Sequence, residues 1–270
     1  MFWTRLASGV VLVILSIVTL YFGGLVTLGV TAVLSLIGIF ELCRVYKIEK
    51  KAPAIAAYIW TILYYLLLGF DLQKWVMPLL IVYLLVVLAI YVFAFPKFHD
   101  KETMAAFFAF YYVSVMLSYV YLLRDLPDGG WFVILIFVCS WGNDTLAYCV
   151  GRLFGKHKMS PVLSPKKSVE GLFGGIIGAG LLGFIFGICF NRFNHEIPSF
   201  QWWMAAVGAI GALPAVIGDL AASAIKRNNE VKDYGKLIPG HGGVLDRFDS
   251  MIFTAPILFY LVSCVIEHVA

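Results

Sequence analysis

Residues 76–95 read VMPLLIVYLLVVLAIYVFAF, twenty positions without one charged side chain. A helix needs about 20 apolar residues to cross about 30 Å of hydrocarbon, so this stretch is a membrane span. Strands of a transmembrane barrel would instead run about ten residues, apolar and polar in turn. Similar runs recur on either side, at about 6–22, 25–43, 54–70, 104–123, 131–151, 170–190, 201–226 and 248–267. The whole chain agrees. Of its 270 residues 61% are apolar and 13% charged, with a mean hydropathy of +0.91, whereas a soluble domain carries about 25% charged residues. The expected fold is all-α, a polytopic integral membrane protein with about nine transmembrane helices. The first run, from Ala7, leads straight into Gly23-Gly24 and the next span without a cleavage pattern, so it is expected to be retained.

With the N-terminus placed in the cytoplasm, all but three of the 20 lysines and arginines fall on the cytoplasmic side, the exceptions being Lys74, Arg124 and Arg192. Such a bias supports the orientation and the span count together, because one missed span would put the later loops on the wrong side. The five cysteines (Cys43, Cys139, Cys149, Cys189, Cys264) form no CxxC pair. They are expected as buried small apolar residues, not as a zinc site or a disulfide framework.

Two regions differ in character. Residues 1–130 carry almost no ionisable group inside a span and are expected to serve packing, lipid contact and subunit contact. Glu41 is expected at the membrane interface in a local i,i+3 pair with Arg44. Trp60, Tyr64, Trp75 and Trp131 stand near span ends as interfacial anchors. Residues 131–270 are the expected catalytic region, with charged cytoplasmic loops at 152–169 and 227–247. Asp144 lies well inside the sixth span, and Ser140, Asp144 and Tyr148 recur every four residues, the spacing of one helix face. The seventh span opens on Glu170, favourable at a helix N-terminus. It carries Gly171, Gly175, Ala179, Gly183 and Gly187 at four-residue intervals, a packing seam that lets another helix approach closely. Helical spacing puts Asp219, Ser223 and Lys226 on one face of the eighth span. Asp246 and Asp249 stand i,i+3 in the first turn of the ninth.

An aspartate inside a span costs roughly 2.5–3.5 kcal/mol on insertion scales. Clustered carboxylates repel unless protonated or bridged by a cation, and hard oxygen ligands suit Mg²⁺. The expected metal ligands are Asp144, Asp219, Asp246 and Asp249, holding one or two divalent ions, with a monovalent ion as the alternative for the second. The same stretches supply Lys166, Lys167, Lys226, Arg227, Lys232, Lys236 and Arg247. Singly, each lysine reads as a positive-inside residue near anionic headgroups. Together with the carboxylates and the Pro-Gly-His-Gly-Gly turn of residues 239–243, they are equipment for phosphoryl or nucleotidyl transfer. GRLFGKH, residues 151–157, is not a Walker loop: its glycines are one residue too close, and His157 stands where Ser or Thr is needed. For His241 the residue type leaves a general acid, a phosphate ligand and a turn residue equally open.

The stretch SAIKRNNEVKDYGKLIPGHGGVLDRFD, residues 223–249, fills every fixed position of S-x-x-K-R-x4-K-D-x-G-x3-P-G-H-G-G-x-x-D-R-x-D. It resembles the signature of the phosphatidate cytidylyltransferases, also called CDP-diacylglycerol synthases, and DTLAYCVGRLFGKHKMSPVLSPKKSVEG, residues 144–171, is similar to that family as well. The resemblance covers about residues 140–255. It implies an enzyme of the inner cell membrane, multi-pass and homodimeric, with its active site open to the cytoplasm. Its partners would be CTP, phosphatidic acid and membrane lipid, with no nucleic acid. Asp219, Asp246, Lys226 and His241 would be the catalytic residues, and Lys166, Lys167, Ser223, Arg227, Lys232 and Arg247 would bind phosphates. A phosphomonoester has a second pKa of about 6, so the lipid phosphate could attack as a dianion without a strong general base.

Two other functions fit parts of the same pattern. A CTP-dependent polyprenol or phytol kinase would transfer the γ-phosphoryl group to an alcohol and release CDP. A transporter would use Asp144 and Asp219 for a coupling ion, but transporters often carry internal repeats. No convincing repeat relates the two regions, and a transporter leaves Lys-Asp-x-Gly and His-Gly-Gly without a task.

Overall fold

The computed structural model describes residues 2–194 and 196–269; the Arg5 side chain, one of the charges expected on the cytoplasmic side, lies outside the described residues. The fold is all-α and polytopic. Helix α1 (Phe2–Phe22) is followed by α2 (Gly24–Val45), α3 (Ala52–Gly69) and α4 (Val76–Phe93). Helix α5 (Asp100–Ala109) continues through a π turn into α6 (Met116–Asp125). Two short helices, α7 (Gly129–Phe132) and α8 (Ile134–Phe137), lead through a second π turn into α9 (Asn143–Phe154). An antiparallel hairpin of β1 (Lys158–Ser160) and β2 (Ser164–Ser168) precedes α10 (Val169–Phe193), α11 (Phe200–Asn228) and α12 (Leu245–Val269). Among the described residues, eight helices are long and apolar enough to cross a membrane, and a shorter apolar helix covers Leu6–Phe22. Their bounds lie within four residues of the nine spans expected from sequence.

Local chemistry sets several boundaries. Pro53 sits in the first turn of α3, where a missing N–H leaves no hydrogen bond unmade. Ser168 caps α10, its hydroxyl accepting the Gly171 N–H at 3.1 Å. Glu170 ties the hairpin to that helix through His157, 2.6 Å from Nδ1. Pro214 and Pro256 lie inside α11 and α12 without ending them.

Contacts divide the chain into two compact units. The first comprises Met1–Tyr121 and Asn229–Arg247. The sequence expectation groups the 227–247 loop with residues 131–270; the contacts group all but its first two residues with α1–α5. The interior of this unit is laced by hydroxyl pairs: Thr61 with Ser114 at 2.7 Å, Tyr64 with Ser118 at 2.9 Å and Ser35 with Tyr65 at 2.8 Å. Tyr64 is therefore an internal strut, 3% exposed, rather than an interfacial anchor. Trp60 likewise faces the protein, donating to the Leu79 carbonyl at 3.1 Å.

The second unit comprises Leu122–Asn228 and Phe248–Ala270. Its centre is α10, flanked by α9 and α11, and the glycine seam is the reason. A Cβ on Gly175 would lie 2.3 Å from Asn143 Oδ1 of α9, and one on Gly183 would lie 2.2 Å from the Met204 carbonyl of α11. Gly208 answers from α11, where a Cβ would meet the Ala179 carbonyl at 2.4 Å. Backbones can approach this closely only where side chains are absent. Trp131 stacks on Phe193 and meets Phe186 and Phe190 edge-on, so it too is a packing residue.

Two further expectations change. Ser140, Asp144 and Tyr148 do not share an environment: Ser140 is buried and bonds back to the Ile136 carbonyl at 2.5 Å, Asp144 is half-buried, and Tyr148 is exposed. The π turn over Val138–Gly142 sets Ser140 apart from the regular helix α9, on which Asp144 and Tyr148 remain four residues apart. Of the five free cysteines, Cys43 and Cys139 are buried, Cys189 is half-buried, and Cys149 and Cys264 are exposed.

Candidate functional site

In the first unit, the loop from residue 229 to 247 closes on itself at Ile238, which donates its N–H to Gly242 at 2.9 Å and accepts from His241 and Gly242. Gly240 and Gly242 have φ of 78° and 90°, a region that side chains with a Cβ rarely enter. Around this turn lies a cavity of about 630 Å³ lined by Lys232, Asp233, Gly235, Lys236, Ile238, Gly240, His241, Gly242 and Arg247. Lys232, Lys236 and Arg247 against Asp233 leave the lining net cationic.

Buried carboxylates hold the loop. Asp246, 7% exposed, accepts the Tyr234 N–H at 2.8 Å and the Gly243 N–H at 2.9 Å, both on Oδ2. Glu41 of α2, 3% exposed, accepts Val244 N–H on Oε1 at 3.1 Å and Leu245 N–H on Oε2 at 3.0 Å. Arg44, one turn on, donates to the Tyr234 carbonyl at 2.7 Å. Glu41 and Arg44 thus grip the loop instead of forming the local i,i+3 pair at an interface.

Helix α1 touches the turn as well. Ser8 Oγ lies 2.9 Å from the Pro239 carbonyl and 2.8 Å from His241 Nδ1. Only the hydroxyl can donate to that carbonyl, and it has one hydrogen. The histidine contact is therefore Nδ1–H donating to Ser8 Oγ, which leaves Nε2 as the ring nitrogen available to a ligand.

In the second unit, Lys167 lies on β2, with its nitrogen 2.5 Å from Asp219 Oδ2 of α11. That nitrogen is shielded from solvent and makes no aligned hydrogen bond, so the contact is an ion pair. Lys166, its neighbour on β2, is exposed. Asp144 on α9 is within Coulombic reach of both Lys167 and Asp219. Ser223 and Lys226 are half-buried and Arg227 is exposed. Asp249 is buried, with Oδ1 accepting the Ser250 N–H at 2.8 Å. Gly218 allows α11 and α12 to meet here, since a Cβ on it would lie 2.6 Å from the Asp249 carbonyl.

Among the described residues, no three His, Cys, Asp or Glu side chains gather into a metal-holding group. Mg²⁺ commonly takes only one or two protein carboxylates, with phosphates and water completing its shell. Asp144 and Asp219 supply such a donor set, already neutralised in part by Lys167, and in that chemical sense they fit a divalent ion.

The family model described as "Cytidylyltransferase family" matches residues 3–265. The chain belongs to the cytidylyltransferase family. It is accordingly an enzyme, a nucleotidyltransferase. Among curated relatives, a phosphatidate cytidylyltransferase of Staphylococcus saprophyticus is 32% identical over 259 residues, 94% of this chain and 96% of the relative. The protein of the same name from Staphylococcus epidermidis gives the same figures. One from Staphylococcus haemolyticus is 43% identical over 147 residues, 54% of each chain.

For this cytidylyltransferase, sequence reasoning missed Ser8, Glu41, Arg44 and Asn143. The last is fully buried beside Gly175, with neither amide atom hydrogen-bonded. Glu41 and Arg44 read as an interfacial pair near a span end, and an amide beside Asp144 is the signal that marks Asn143. Ser8 carries no such signal.

Proposed function

We propose that this enzyme transfers the cytidylyl group of CTP to phosphatidic acid, giving CDP-diacylglycerol and pyrophosphate at the cytoplasmic face of the inner cell membrane. The observation that supports it best is the cationic, glycine-turned cavity in a chain otherwise built of membrane-length helices. One substrate is a water-soluble polyphosphate and the other a lipid phosphate, and their relatives' printed names join these in one reaction.

In the proposed step a lipid phosphate oxygen attacks the α-phosphorus of CTP in line. A new P–O–P bond forms, the α–β bridge breaks, and its electron pair leaves with pyrophosphate. Lys232, Arg247 and the glycine-turn amides would bind phosphate oxygens, and Lys226 and Arg227 would add charge from the end of α11. His241, held by Ser8 through Nδ1, would offer Nε2 to a phosphate oxygen. Lys167 would orient Asp219, with Ser223 one turn further along. A divalent ion bound at Asp144 and Asp219 would neutralise phosphate charge; Asp246 and Asp249 are further candidate ligands. The enzyme is proposed to act as a homodimer with a cytoplasmic N-terminus.

The test is a single assay with purified enzyme, phosphatidate, Mg²⁺ and CTP labelled in the cytidine and at the γ-phosphate. Cytidine label in the lipid fraction with labelled pyrophosphate in solution is the expected outcome. With a polyprenol or phytol added in a parallel reaction, γ-label in the lipid with release of CDP would make the enzyme a kinase instead. In the same assay, Asp219→Asn and Asp246→Asn are each expected to lower turnover at least about a hundredfold, the scale on which fixed electrostatic groups act.

A further inference from the structure

We infer that Glu41, in the region without expected chemistry, is a positioning residue for the transfer reaction. It sets where the phosphate-binding loop stands, and the inference rests on the assignment of that loop to CTP. Its two carboxylate oxygens take one backbone amide each, Val244 at 3.1 Å and Leu245 at 3.0 Å. Those residues lie between the His241 turn and Arg247, so the cavity lining is pinned from its middle.

The arrangement completes a helix cap from outside the helix. In a capping box, the residue before the helix bonds forward to a first-turn amide and a carboxylate three residues on bonds back. Here the register differs: Asp246, in the first turn of α12, bonds back to Gly243, two residues before that helix, at 2.9 Å, which leaves the amides of Val244 and Leu245 between them to be satisfied. Glu41 supplies the missing acceptors from α2. The fit leaves no room: a Cβ on Gly243 would lie 2.5 Å from both Glu41 oxygens, and one on Gly235 would lie 2.1 Å from Oε1. Arg44 closes the ring by holding the Tyr234 carbonyl at 2.7 Å, while the N–H of the same residue serves Asp246. Loss of the two amide bonds frees the loop to shift by a fraction of an ångström, and displacements on the scale of 1 Å can cost a hundredfold in rate.

The test compares Glu41→Ala, Glu41→Gln and Gly243→Ala with the parent for CTP turnover, the KM for CTP and hydrogen exchange of backbone amides. Glu41→Ala is expected to lower kcat at least tenfold, to raise the KM for CTP at least fivefold, and to speed exchange at residues 243–246 with α10 unchanged. Glu41→Gln keeps one acceptor and falls between Ala and parent on all three readouts. Gly243→Ala disturbs the same contact from the loop side and reproduces the rise in KM, so the question stays decidable should Glu41→Ala fail to fold. A mere loss of folded molecules lowers kcat and leaves KM unchanged. A KM for CTP within twofold of the parent in Glu41→Gln and Gly243→Ala would therefore overturn the inference, whatever happens to kcat. If the parent itself does not turn over CTP with phosphatidate, the assigned function fails, and the exchange data still report on the clamp alone.

Discussion

In the α9–α10–α11 stack a helix is held by side chains that are absent, whereas the 229–247 loop is held by acceptors that two buried carboxylates supply. The stack brings backbones together along glycines and alanines, and its tolerance is set by repulsion: a carbon added at Gly175, Gly183 or Gly208 overlaps a carbonyl or an amide. The loop has the opposite problem. Its backbone donors must be satisfied away from water, and each unsatisfied one would cost about 1–3 kcal/mol. Steric exclusion shapes a rigid frame for Asp144, Lys167 and Asp219, while directed hydrogen bonds shape the turn that carries His241 and Arg247. A short-range repulsive frame fails abruptly, and a hydrogen-bonded loop fails by degrees.

The largest expected effect tests that contrast on the steric side. Gly183→Leu places carbon against the Met204 carbonyl, where even a Cβ would lie at 2.2 Å, and overpacking of this kind costs about 3 kcal/mol or more. Loss of monodisperse enzyme on size-exclusion chromatography is expected; a normal yield with parental turnover would show that the seam can open. Next comes the charged edge of the same unit. Lys167→Met removes the partner of Asp219 and is expected to lower kcat/KM about tenfold to a hundredfold, because truncating one member of a shielded pair strands the other. Lys166→Met, at an exposed position, removes an expected phosphate contact and leaves the Asp219 pair intact, so it should raise KM with kcat kept within about threefold, and equal losses of kcat in the two variants would dissolve the distinction between them. The smallest effect belongs to the loop. Ser8→Ala removes the acceptor of His241 Nδ1–H, a bond worth about 0.5–1.5 kcal/mol, and should lower kcat/KM about twofold to tenfold in the same assay.

Legibility in the sequence follows the same division. The spans and the seam announce themselves through short-range patterns: twenty apolar residues in a row, or a small residue every fourth position. The loop's own residues are equally plain, because Lys232, His241, Asp246 and Arg247 fall within 16 consecutive positions. What the sequence conceals is their support. Glu41 meets amides 203 and 204 residues away, and Ser8 meets His241 across 233. No periodicity links such positions, and a lone glutamate near a span end resembles an ordinary interfacial residue paired with Arg44. Ser140 parts from the Asp144–Tyr148 face for a different reason: a π turn over Val138–Gly142 changes the residue count per turn without any mark in residue type. Lys166 and Lys167 look equivalent as neighbouring cations in the sequence, yet only Lys167 is brought to Asp219, while Lys166 is exposed.

The distance between Glu41 and its two amides also fixes an order of events during synthesis. When residues 1–228 have been made, α2 already carries its carboxylate, and the amides of Val244 and Leu245 that will receive it do not yet exist. Until then Glu41 is an acidic residue without its native partners in a hydrophobic segment. Its burial must wait for Val244 and Leu245. Contacts of such long sequence separation form late and slowly, so the 229–247 loop is expected to lock only after α11 has been made and α12 has begun to emerge.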